Sequence, residues 1–286
     1  MSLLATDDRN ADQVVYWNGP VGERWRNRQP DQDVLLAPVS DLLLRRAAPA
    51  AREVVLDVGC GCGYTTIELA RRVAPDGRVL GVDISAPMLE RARERSPADL
   101  PISFIEADAT AYAFEPGAAD LLFSRFGVMF FAEPHKSFAN MRRGLRRRAR
   151  LAFACWREPR KNPWLMLPLE EACRHVPRPP APGPEEPGPF AFADERRVRD
   201  ILDFAGFAEV RLEALDLSLD IGIGRGLDAA VETATGMGPT SRALEGQPAQ
   251  LRAAAIESVR RALMRYQVGN VVALPGAIWI VTARNP

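Results

Sequence analysis

The sequence predicts an α/β fold, in which a mostly parallel sheet carries helices on both of its faces. Short runs rich in Val, Ile and Leu recur along the chain and alternate with predicted helices. The 286 residues, of which 47% are hydrophobic, can bury one large core or a core with a substantial insertion. The first apolar run leads into D-V-G-C-G-C-G, which places a tight, glycine-rich loop at the end of a strand.

The first 50 residues precede the first predicted strand, and they contain a predicted helix over Asp31–Arg46. Trp17 and Trp25 lie eight residues apart in this segment. They either share one helical face that packs on the core or contact a ligand, and the sequence leaves both alternatives open.

The first predicted strand begins at Val54 and ends at Asp57, because apolar and β-branched residues suit a buried parallel strand. Three glycines follow at alternate positions, namely Gly59, Gly61 and Gly63. They let the backbone turn sharply and approach a ligand at a distance that a Cβ would prevent. The next helix begins near Tyr64, and its first amide groups point toward the loop because they lack partners within the helix.

Further apolar runs predict the remaining strands. They are Arg78–Val82, Ile102–Glu106, Asp120–Ser124, Arg150–Trp156, Phe207–Leu217 and Ala277–Ala283. Asp83 follows the second strand and stands 20 residues after Gly63, which is the spacing at which an acidic residue accepts both hydroxyls of a ribose. Alternatively, Asp83 caps the helix that begins at Ser85.

The spacing of the glycines separates two classes of cofactor. A dinucleotide fingerprint, G-x-G-x-x-G, has its third glycine where this chain has Tyr64. Asp57 lies two residues ahead of Gly59, where a carboxylate can bind an ammonium group or order water but would repel a phosphate. A cationic ligand without phosphate therefore fits better, and S-adenosylmethionine, with its sulfonium and amino groups, is such a ligand.

The segment from Asp57 to Gly63 resembles the first motif of class I S-adenosylmethionine-dependent methyltransferases, and in particular their UbiE-like (methyltransferase type 11) branch. The resemblance is strong from Val54 to Trp156 and loose elsewhere. It implies a Rossmann-like, seven-stranded, mostly parallel sheet with an N-terminal helical lid and helical insertions. It also implies S-adenosylmethionine as cofactor, S-adenosylhomocysteine as product and methyl transfer as the activity.

The resemblance assigns a set of cofactor-binding residues. They are Trp25, Asp57, Gly59, Cys60, Gly61, Gly63, Asp83, Ile84, Met88, Asp108, Ala109, Ser124, Arg125 and Phe126. Ile84 and Met88 would flank the adenine. Asp108 would hold the adenine amino group, although alone it could be an ordinary turn residue. Arg125 and Phe126 would lie under the methyl donor.

We expect one compact domain with four segments. They are a lid (1–50), the Rossmann-like core (51–158), a helical, proline-rich insertion (159–205) and the last two strands with a second helical insertion (206–286). Helices are predicted from Asn162 to His175 and from Ala249 to Arg265. Seven of the 13 residues from Pro177 to Pro189 are proline, which predicts a stiff connector without regular structure. The insertions are expected to build the acceptor pocket, above the carboxyl ends of the strands.

Six arginines fall within the nine residues from Arg142 to Arg150, where the family pattern has a glycine-containing turn. A turn made without glycine should add some strain. The run could indicate nucleic-acid binding, but its position at a helix end, opposite the expected cofactor site, favours a solvated face.

Methyl transfer from a sulfonium is an in-line displacement, so the protein mainly aligns the acceptor and excludes water. The catalytic residue remains unknown, with His135 and Tyr16 as candidates for a base if the acceptor must lose a proton. His135 could instead simply begin a helix. The N-P-P-Y-like tetrad of amino-directed nucleic-acid methyltransferases is replaced by Ser124–Gly127, which favours a small-molecule acceptor. Its pocket could be lined by Phe126, Met129, Phe130, Trp156 and Trp164.

The amino-acid composition limits which partners the protein is expected to bind. Lys plus Arg equals Asp plus Glu at 37 each, so there is no global attraction to nucleic acid or to an anionic membrane. The apolar runs are too short for a membrane span, and Asp7, Asp8 and Arg9 do not suit a signal peptide, so we expect a cytoplasmic protein. Cys60 and Cys62 are too closely spaced for a usual zinc site, so no metal is expected, and none of the cysteines should form a disulfide.

Two other functions remain open from the sequence. The chain could bind S-adenosylmethionine without catalysis, because cofactor residues say nothing about an acceptor. A NAD(P)-dependent oxidoreductase is less favoured, because of Asp57 and Tyr64. The oligomeric state, the acceptor and the atom that would be methylated are undetermined.

Overall fold

The computed structural model describes residues 10–181, 183 and 185–286. Asp7, Asp8 and Arg9, on which the signal-peptide argument depends, lie outside the described residues. The strands are β1 (Val54–Val58), β2 (Arg78–Asp83), β3 (Ile102–Glu106), β4 (Ala119–Arg125), β5 (Leu145–Trp156), β6 (Ala208–Asp220), β7 (Gln267–Val268) and β8 (Val271–Arg284).

The α-helices connect the parallel strands, except between β3 and β4, and fill the segments before and after them. They are α1 (Ala11–Asn18), α2 (Pro20–Asn27), α3 (Gln29–Ala47), α4 (Tyr64–Val73), α5 (Ala86–Arg95), α6 (Pro134–Arg143), α7 (Pro163–Ala172), α8 (Glu195–Phe204), α9 (Leu227–Gly236), α10 (Gly238–Leu244) and α11 (Ala249–Met264). Short 3-10 turns span Val128–Phe130 and Pro159–Lys161.

The sheet has the strand order β3-β2-β1-β4-β5-β8-β6, and the two-residue β7 pairs with β8 beside it. All pairs from β3 to β5 are parallel, whereas β8 runs antiparallel to both β5 and β6. This confirms the predicted mostly parallel, Rossmann-like α/β sheet. The strand order reverses at β1 and β4, which is where the carboxyl ends of parallel strands leave a crevice.

Strands β5, β6 and β8 are longer than predicted. Pairing between β6 and β8 continues from Ala208 to Asp220, so the ladder runs past the apolar stretch that the sequence shows. β5 begins at Leu145, and the predicted glycine-free turn is instead its bulged start. Arg148 takes a positive φ of 65° there, which is the strain that the missing glycine predicts.

The N-terminal segment folds into three helices, α1 to α3. Helix α3 packs against strands β4, β5, β6 and β8 through a buried face that includes Leu35, Leu36, Val39, Leu43 and Leu44. This burial anchors the segment to the sheet, so that α1 and α2 are positioned beside the crevice.

The helices of the two insertions pack on one another. Helix α7 contacts α9, α10 and α11, and buried residues such as Leu169, Val259 and Leu263 fill the space between them. No helix or strand falls in the described residues from 177 to 193, as the prolines predict. Within the described part of the chain, no helix is long and apolar enough to cross a membrane.

Candidate functional site

A cleft opens at the carboxyl ends of β1, β2 and β4, and its empty volume of about 950 Å³ includes space that is open to solvent. Its lining residues all fall between Asn10 and Phe131. Trp17 lies at the centre of an aromatic wall, with its ring centroid 5.9 Å from that of Trp25 and 5.0 Å from that of Phe130. Trp17 and Trp25 lie on different helices, α1 and α2, rather than on one helical face, and both line the cleft. Their contact with a ligand stays a prediction.

The glycine loop forms the floor of the cleft. Gly59 has a φ of +68°, and a Cβ at this position would lie 2.6 Å from the Cα of Gly127. The Gly59 amide donates to the Val82 carbonyl over 2.8 Å. The loop after β1 thus contacts both the turn after β4 and the end of β2, an approach that only glycine permits.

Asp83 lies at the end of β2 and lines the cleft with 7% of its surface exposed. Its carboxylate accepts hydrogen bonds from the backbone amides of Gly61 (2.7 Å) and Ser85 (2.9 Å), one on each oxygen. Burial raises the pKa of Asp83, and the bonds from backbone amides oppose this effect. Because each carboxylate oxygen can accept more than one hydrogen bond, Asp83 can still receive hydroxyl donors from a ligand.

Asp57 lies beneath the loop and is fully buried. One of its oxygens accepts from the hydroxyls of Thr65 and Thr66, each over 2.7 Å, while its other oxygen has no partner among the described residues. Burial raises the pKa of Asp57 to about 6, although the two hydroxyls and the charge of Arg125 oppose the shift. Asp57 therefore holds the first turn of α4 against the loop.

Arg125 lies at the end of β4 and lines the cleft. Its guanidinium donates to the Ser40 hydroxyl over 2.8 Å and lies 5.5 Å from the centre of the Tyr64 ring. Burial lowers the pKa of Arg125, and the charges of Asp33 and Asp57 oppose this. Beside it, Phe126 has a φ of +65° and its ring stacks on Trp156, with centroids 4.2 Å apart.

The structure brings together ten of the residues assigned from the resemblance. Those that line the cleft are Trp25, Gly59, Cys60, Gly61, Asp83, Ile84, Met88, Ala109, Arg125 and Phe126. The remaining four are outside the lining set, namely Asp57, Gly63, Asp108 and Ser124. Gly63 faces Ala92 and Phe104, where it lets α4 approach α5. Asp108 accepts from the Thr110 amide over 2.8 Å, which stabilises the turn after β3. Their roles toward a cofactor stay predictions.

Neither candidate base lines the cleft. The His135 ring packs edge-on against Phe204 at 5.2 Å, and the Tyr16 ring packs against Trp17 at 5.2 Å. The insertions were expected to build the acceptor pocket, but no described residue after Phe131 lines this cleft. Helices α7, α9, α10 and α11 bury their apolar faces against one another instead. Trp156 and Trp164, expected in the pocket, lie with centroids 5.0 Å apart in the core.

Sequence reasoning missed several lining residues from the N-terminal segment. These are Asn10, Gln32, Asp33 and Leu36. Their positions depend on how α3 docks on the sheet, which local patterns do not reveal. One signal was available, since Gln32 is a polar residue on the same helical face as the buried Leu35 and Leu36.

Cys60 in the glycine loop is buried, and Cys62 is partly exposed. Burial raises the pKa of the Cys62 thiol to about 12 and that of Cys60 well above its usual value. In the described part of the chain, no group of three or more His, Cys, Asp or Glu residues could hold a metal ion. The four cysteines are free.

Comparisons with known proteins agree with this geometry. Residues 55–148 match a family model described as a methyltransferase domain. The chain is 43% identical over 115 residues to a trans-aconitate 2-methyltransferase of Paracidovorax citrulli, an alignment that covers 40% of each chain. It is 34% identical over 110 residues to a 2-phytyl-1,4-naphtoquinone methyltransferase of Trichormus variabilis, covering 37% of this chain and 48% of that one. The chain thus spans less than half the length of these relatives.

Solved structures show the same fold. A putative methyltransferase from Bacillus halodurans superposes with a TM-score of 0.55 at 16% identity, covering 86% of this chain and 98% of the other. A phosphoethanolamine N-methyltransferase from Haemonchus contortus, solved with phosphomonomethylethanolamine and S-adenosylhomocysteine, superposes with a TM-score of 0.53 at 17% identity. That alignment covers 87% of this chain and 52% of the enzyme.

Proposed function

Because the chain belongs to the class I S-adenosylmethionine-dependent methyltransferase family, we propose that it transfers a methyl group from S-adenosylmethionine to a small-molecule acceptor. The observation that carries the proposal is the junction of Gly61 and Asp83 in the cleft. The loop after β1 and the carboxylate after β2 meet there in one hydrogen bond, at the crevice where ligands of open α/β sheets bind.

The residues of the cleft fit this cofactor. A Cβ on Gly61 would contact only the Met88 sulfur, at 3.8 Å, so the loop presents bare backbone to the cleft. Asp83 supplies acceptors for two ribose hydroxyls, and Ile84 with Met88 supplies apolar surface for a purine. No phosphate group has to be placed against the buried carboxylates of Asp57 and Asp83. We therefore propose that Gly61, Asp83, Ile84 and Met88 bind the cofactor.

When bound, S-adenosylmethionine supplies the electrophilic methyl group and its own leaving group. The chain's contribution is to bind and orient the two reactants and to exclude water. Trp17, Trp25 and Phe130 form an apolar wall over the cleft, and α3 anchors the helices that carry the two tryptophans. The mostly apolar wall favours a small, partly apolar acceptor over nucleic acid.

The partners and location belong to the same proposal. Three of the six arginines from Arg142 to Arg150 have structural partners: Arg150 pairs with Glu53 over 2.5 Å, Arg146 pairs with Asp120, and Arg142 donates to Asn285 and to the Ala205 carbonyl. The others, Arg143, Arg147 and Arg148, are exposed, as a solvated face predicts. We propose that the protein acts in the cytoplasm on a dissolved acceptor, without nucleic acid or membrane as partner.

Calorimetric titration with S-adenosylmethionine, S-adenosylhomocysteine and NADH tests the cofactor. We expect binding of the first two and none of NADH. Binding of NADH alone would overturn the proposal.

Release of S-adenosylhomocysteine in the presence of quinol or carboxylate acceptors then tests catalysis. Tight cofactor binding with no turnover over a broad acceptor panel would instead identify a non-catalytic S-adenosylmethionine-binding protein.

A further inference from the structure

A second pocket lies on the face of the sheet that α3 covers, and it shares no lining residue with the cleft. It is lined by the end of α3 and by parts of β5, β6 and β8, and its empty volume of about 840 Å³ includes space that is open to solvent. Four of its lining residues are arginines, whereas only Glu209 is acidic. The arginines that define this arginine pocket are Arg46, Arg150, Arg211 and Arg284.

Strand pairing places three of these arginines on one face of the sheet. Arg150 of β5 lies directly opposite Arg284 of β8, and Arg211 of β6 lies opposite Thr282 of β8. Opposite residues of antiparallel strands point to the same face, as do residues two apart along one strand. The three arginines and the Thr282 hydroxyl therefore share one face, on which like charges directly opposite each other destabilise the pairing unless they are compensated.

Carboxylates of the chain compensate two of the four arginines. Arg46 donates to both oxygens of Glu213, over 2.6 and 2.7 Å. Arg150 pairs with Glu53 over 2.5 Å, although its Nε is buried and has no hydrogen-bond partner among the described residues. Because Glu213 belongs to β6 and Arg46 to α3, the first of these pairs also fixes the end of α3 beside the pocket.

The other two arginines have no carboxylate partner in the described part of the chain. The Arg211 side chain forms no hydrogen bond or ion pair there, and Arg284 donates only to the neutral carbonyl of Arg148, over 3.2 Å. Glu209 lies at the bulge of β6 and pairs with neither of them. The arginine pocket therefore keeps an excess of positive charge and of hydrogen-bond donors.

We propose that the arginine pocket binds the phosphate group of a small phosphorylated ligand. Guanidinium groups and a hydroxyl donate to oxygen acceptors, and a phosphate accepts from several such donors at once. As a dianion it also supplies the counter-charge that Arg211 and Arg284 lack. The carboxylates near the pocket, those of Glu53, Glu209 and Glu213, would repel the successive phosphates of a nucleic acid, so a compact ligand is favoured.

Calorimetric titration of the full chain with inorganic pyrophosphate, at constant ionic strength, tests this site. Acetate and a short single-stranded oligonucleotide are titrated in parallel, as a monoanion and as an extended polyanion. The proteins are the wild type, Arg211→Gln, Arg284→Gln and the double variant. Arg147→Gln is the matched control, because Arg147 is an exposed arginine of β5 that does not line the pocket. Thermal unfolding shows that each variant is folded.

We expect pyrophosphate to bind the wild type at one site. Arg211→Gln and Arg284→Gln should each weaken this binding by about 10-fold, and the double variant by about 100-fold, because each loses charged hydrogen bonds to the ligand. Arg147→Gln should bind as the wild type does. Saturation with S-adenosylhomocysteine should leave pyrophosphate binding in place, because the two pockets have no lining residue in common.

The proposal is overturned if the wild type does not bind pyrophosphate, or if the folded double variant binds it as tightly as the wild type. Equal weakening by Arg147→Gln would show attraction to the general positive surface rather than to the pocket, and would also overturn it. Acetate binding as tight as that of pyrophosphate, or tighter binding of the oligonucleotide, would contradict the small phosphorylated ligand. These titrations need no methyl transfer, so they decide the site independently of the proposed function.

Discussion

Two loops of this chain have the same spacing, D-x-G-x-G-x-G, but only the first lines the cleft that contains Asp83 and Arg125. The first is Asp57–Gly63, between β1 and α4, and the second is Asp220–Gly226, between β6 and α9. Asp57 is the penultimate residue of β1, Asp220 is the last residue of β6, and in both loops a helix follows the last glycine. The first loop lines the cleft and the second does not.

The aspartates explain part of the difference. Asp220 accepts hydrogen bonds from the amides of Gly222 (3.0 Å), Gly224 (2.7 Å) and Val272 (2.9 Å), so it closes its own loop. Every amide from Gly222 to Gly226 donates to Asp220, to Gly222 or to Asn270. Asp57 instead accepts hydrogen bonds from two threonine hydroxyls of α4, so these bonds do not close its own loop.

The neighbouring strands explain the rest. β1 lies between two parallel strands, so Asp83 of β2 and Gly127 after β4 meet the first loop. β6 is an edge strand whose partner, β8, is antiparallel, so no second carboxyl end lies beside the second loop. The spacing makes a tight loop, whereas a ligand site needs neighbouring parallel strand ends.

The largest expected effect comes from adding one methyl group to a glycine in each loop and comparing the loss of stability. Gly59→Ala should lose roughly 2–5 kcal/mol of unfolding free energy, because left-handed strain adds to overpacking where the new Cβ meets the Gly127 Cα at 2.6 Å. Gly224→Ala, also at positive φ but with nothing within 4 Å, should lose only about 1–2 kcal/mol. Urea unfolding measures both, and equal losses would show that the close approach to Gly127 is unimportant.

Asp57 should make stability depend on pH. Its folded-state pKa of about 6 lies above the usual 3.8, so the folded protein binds more protons than the unfolded chain between these values. Stability from this group therefore falls as pH rises from about 4 to 6, by about 3 kcal/mol. Asp57→Asn should remove that slope and be at least as stable as the wild type at pH 7. Unfolding at a series of pH values checks this, and an unchanged slope in Asp57→Asn would contradict it.

Asp83→Ala should weaken S-adenosylhomocysteine binding by about 1–3 kcal/mol, because the ribose hydroxyls lose their acceptor. It should also lower folding stability, because the amides of Gly61 and Ser85 lose theirs. Asp220→Ala is the matched control from the second loop. It should destabilise its own loop but leave cofactor affinity unchanged. Calorimetry measures the affinities, and equal cofactor binding by Asp83→Ala and the wild type would contradict the proposal that Asp83 binds the ribose hydroxyls.

The smallest effect concerns the link between the second loop and the N-terminal helices. Arg225 pairs with Asp31 over 2.8 Å, with side chains 55% and 26% exposed. Arg225→Gln should cost less than about 1 kcal/mol, as exposed ion pairs do, and should leave cofactor binding unchanged. A thermal midpoint shift comparable with that of Gly59→Ala would show that this contact supports the fold far more than its exposure suggests.

Much of the fold could be predicted locally. The apolar runs before Asp57 and Asp83 predict buried strands, and Gly59 requires a conformation that other residues avoid. The lengths of β6 and β8 could not be predicted, because antiparallel pairing holds polar residues such as Ser218 and Asp220 in the ladder. Assigned residues at strand ends, such as Asp83 and Arg125, line the cleft, whereas lining residues on α3, such as Gln32, were not assigned from the sequence.

The sequence by itself determined the α/β class, the tight loop at Gly59–Gly63 and the acidic residue after the second strand, because glycine conformation and strand periodicity are local properties. Only the tertiary structure decided which D-x-G-x-G-x-G loop lines a cleft, that the insertions pack on one another, and that Arg125 and Gln32 meet the same cavity. Those outcomes depend on which distant elements pack side by side, and no local pattern contains that information.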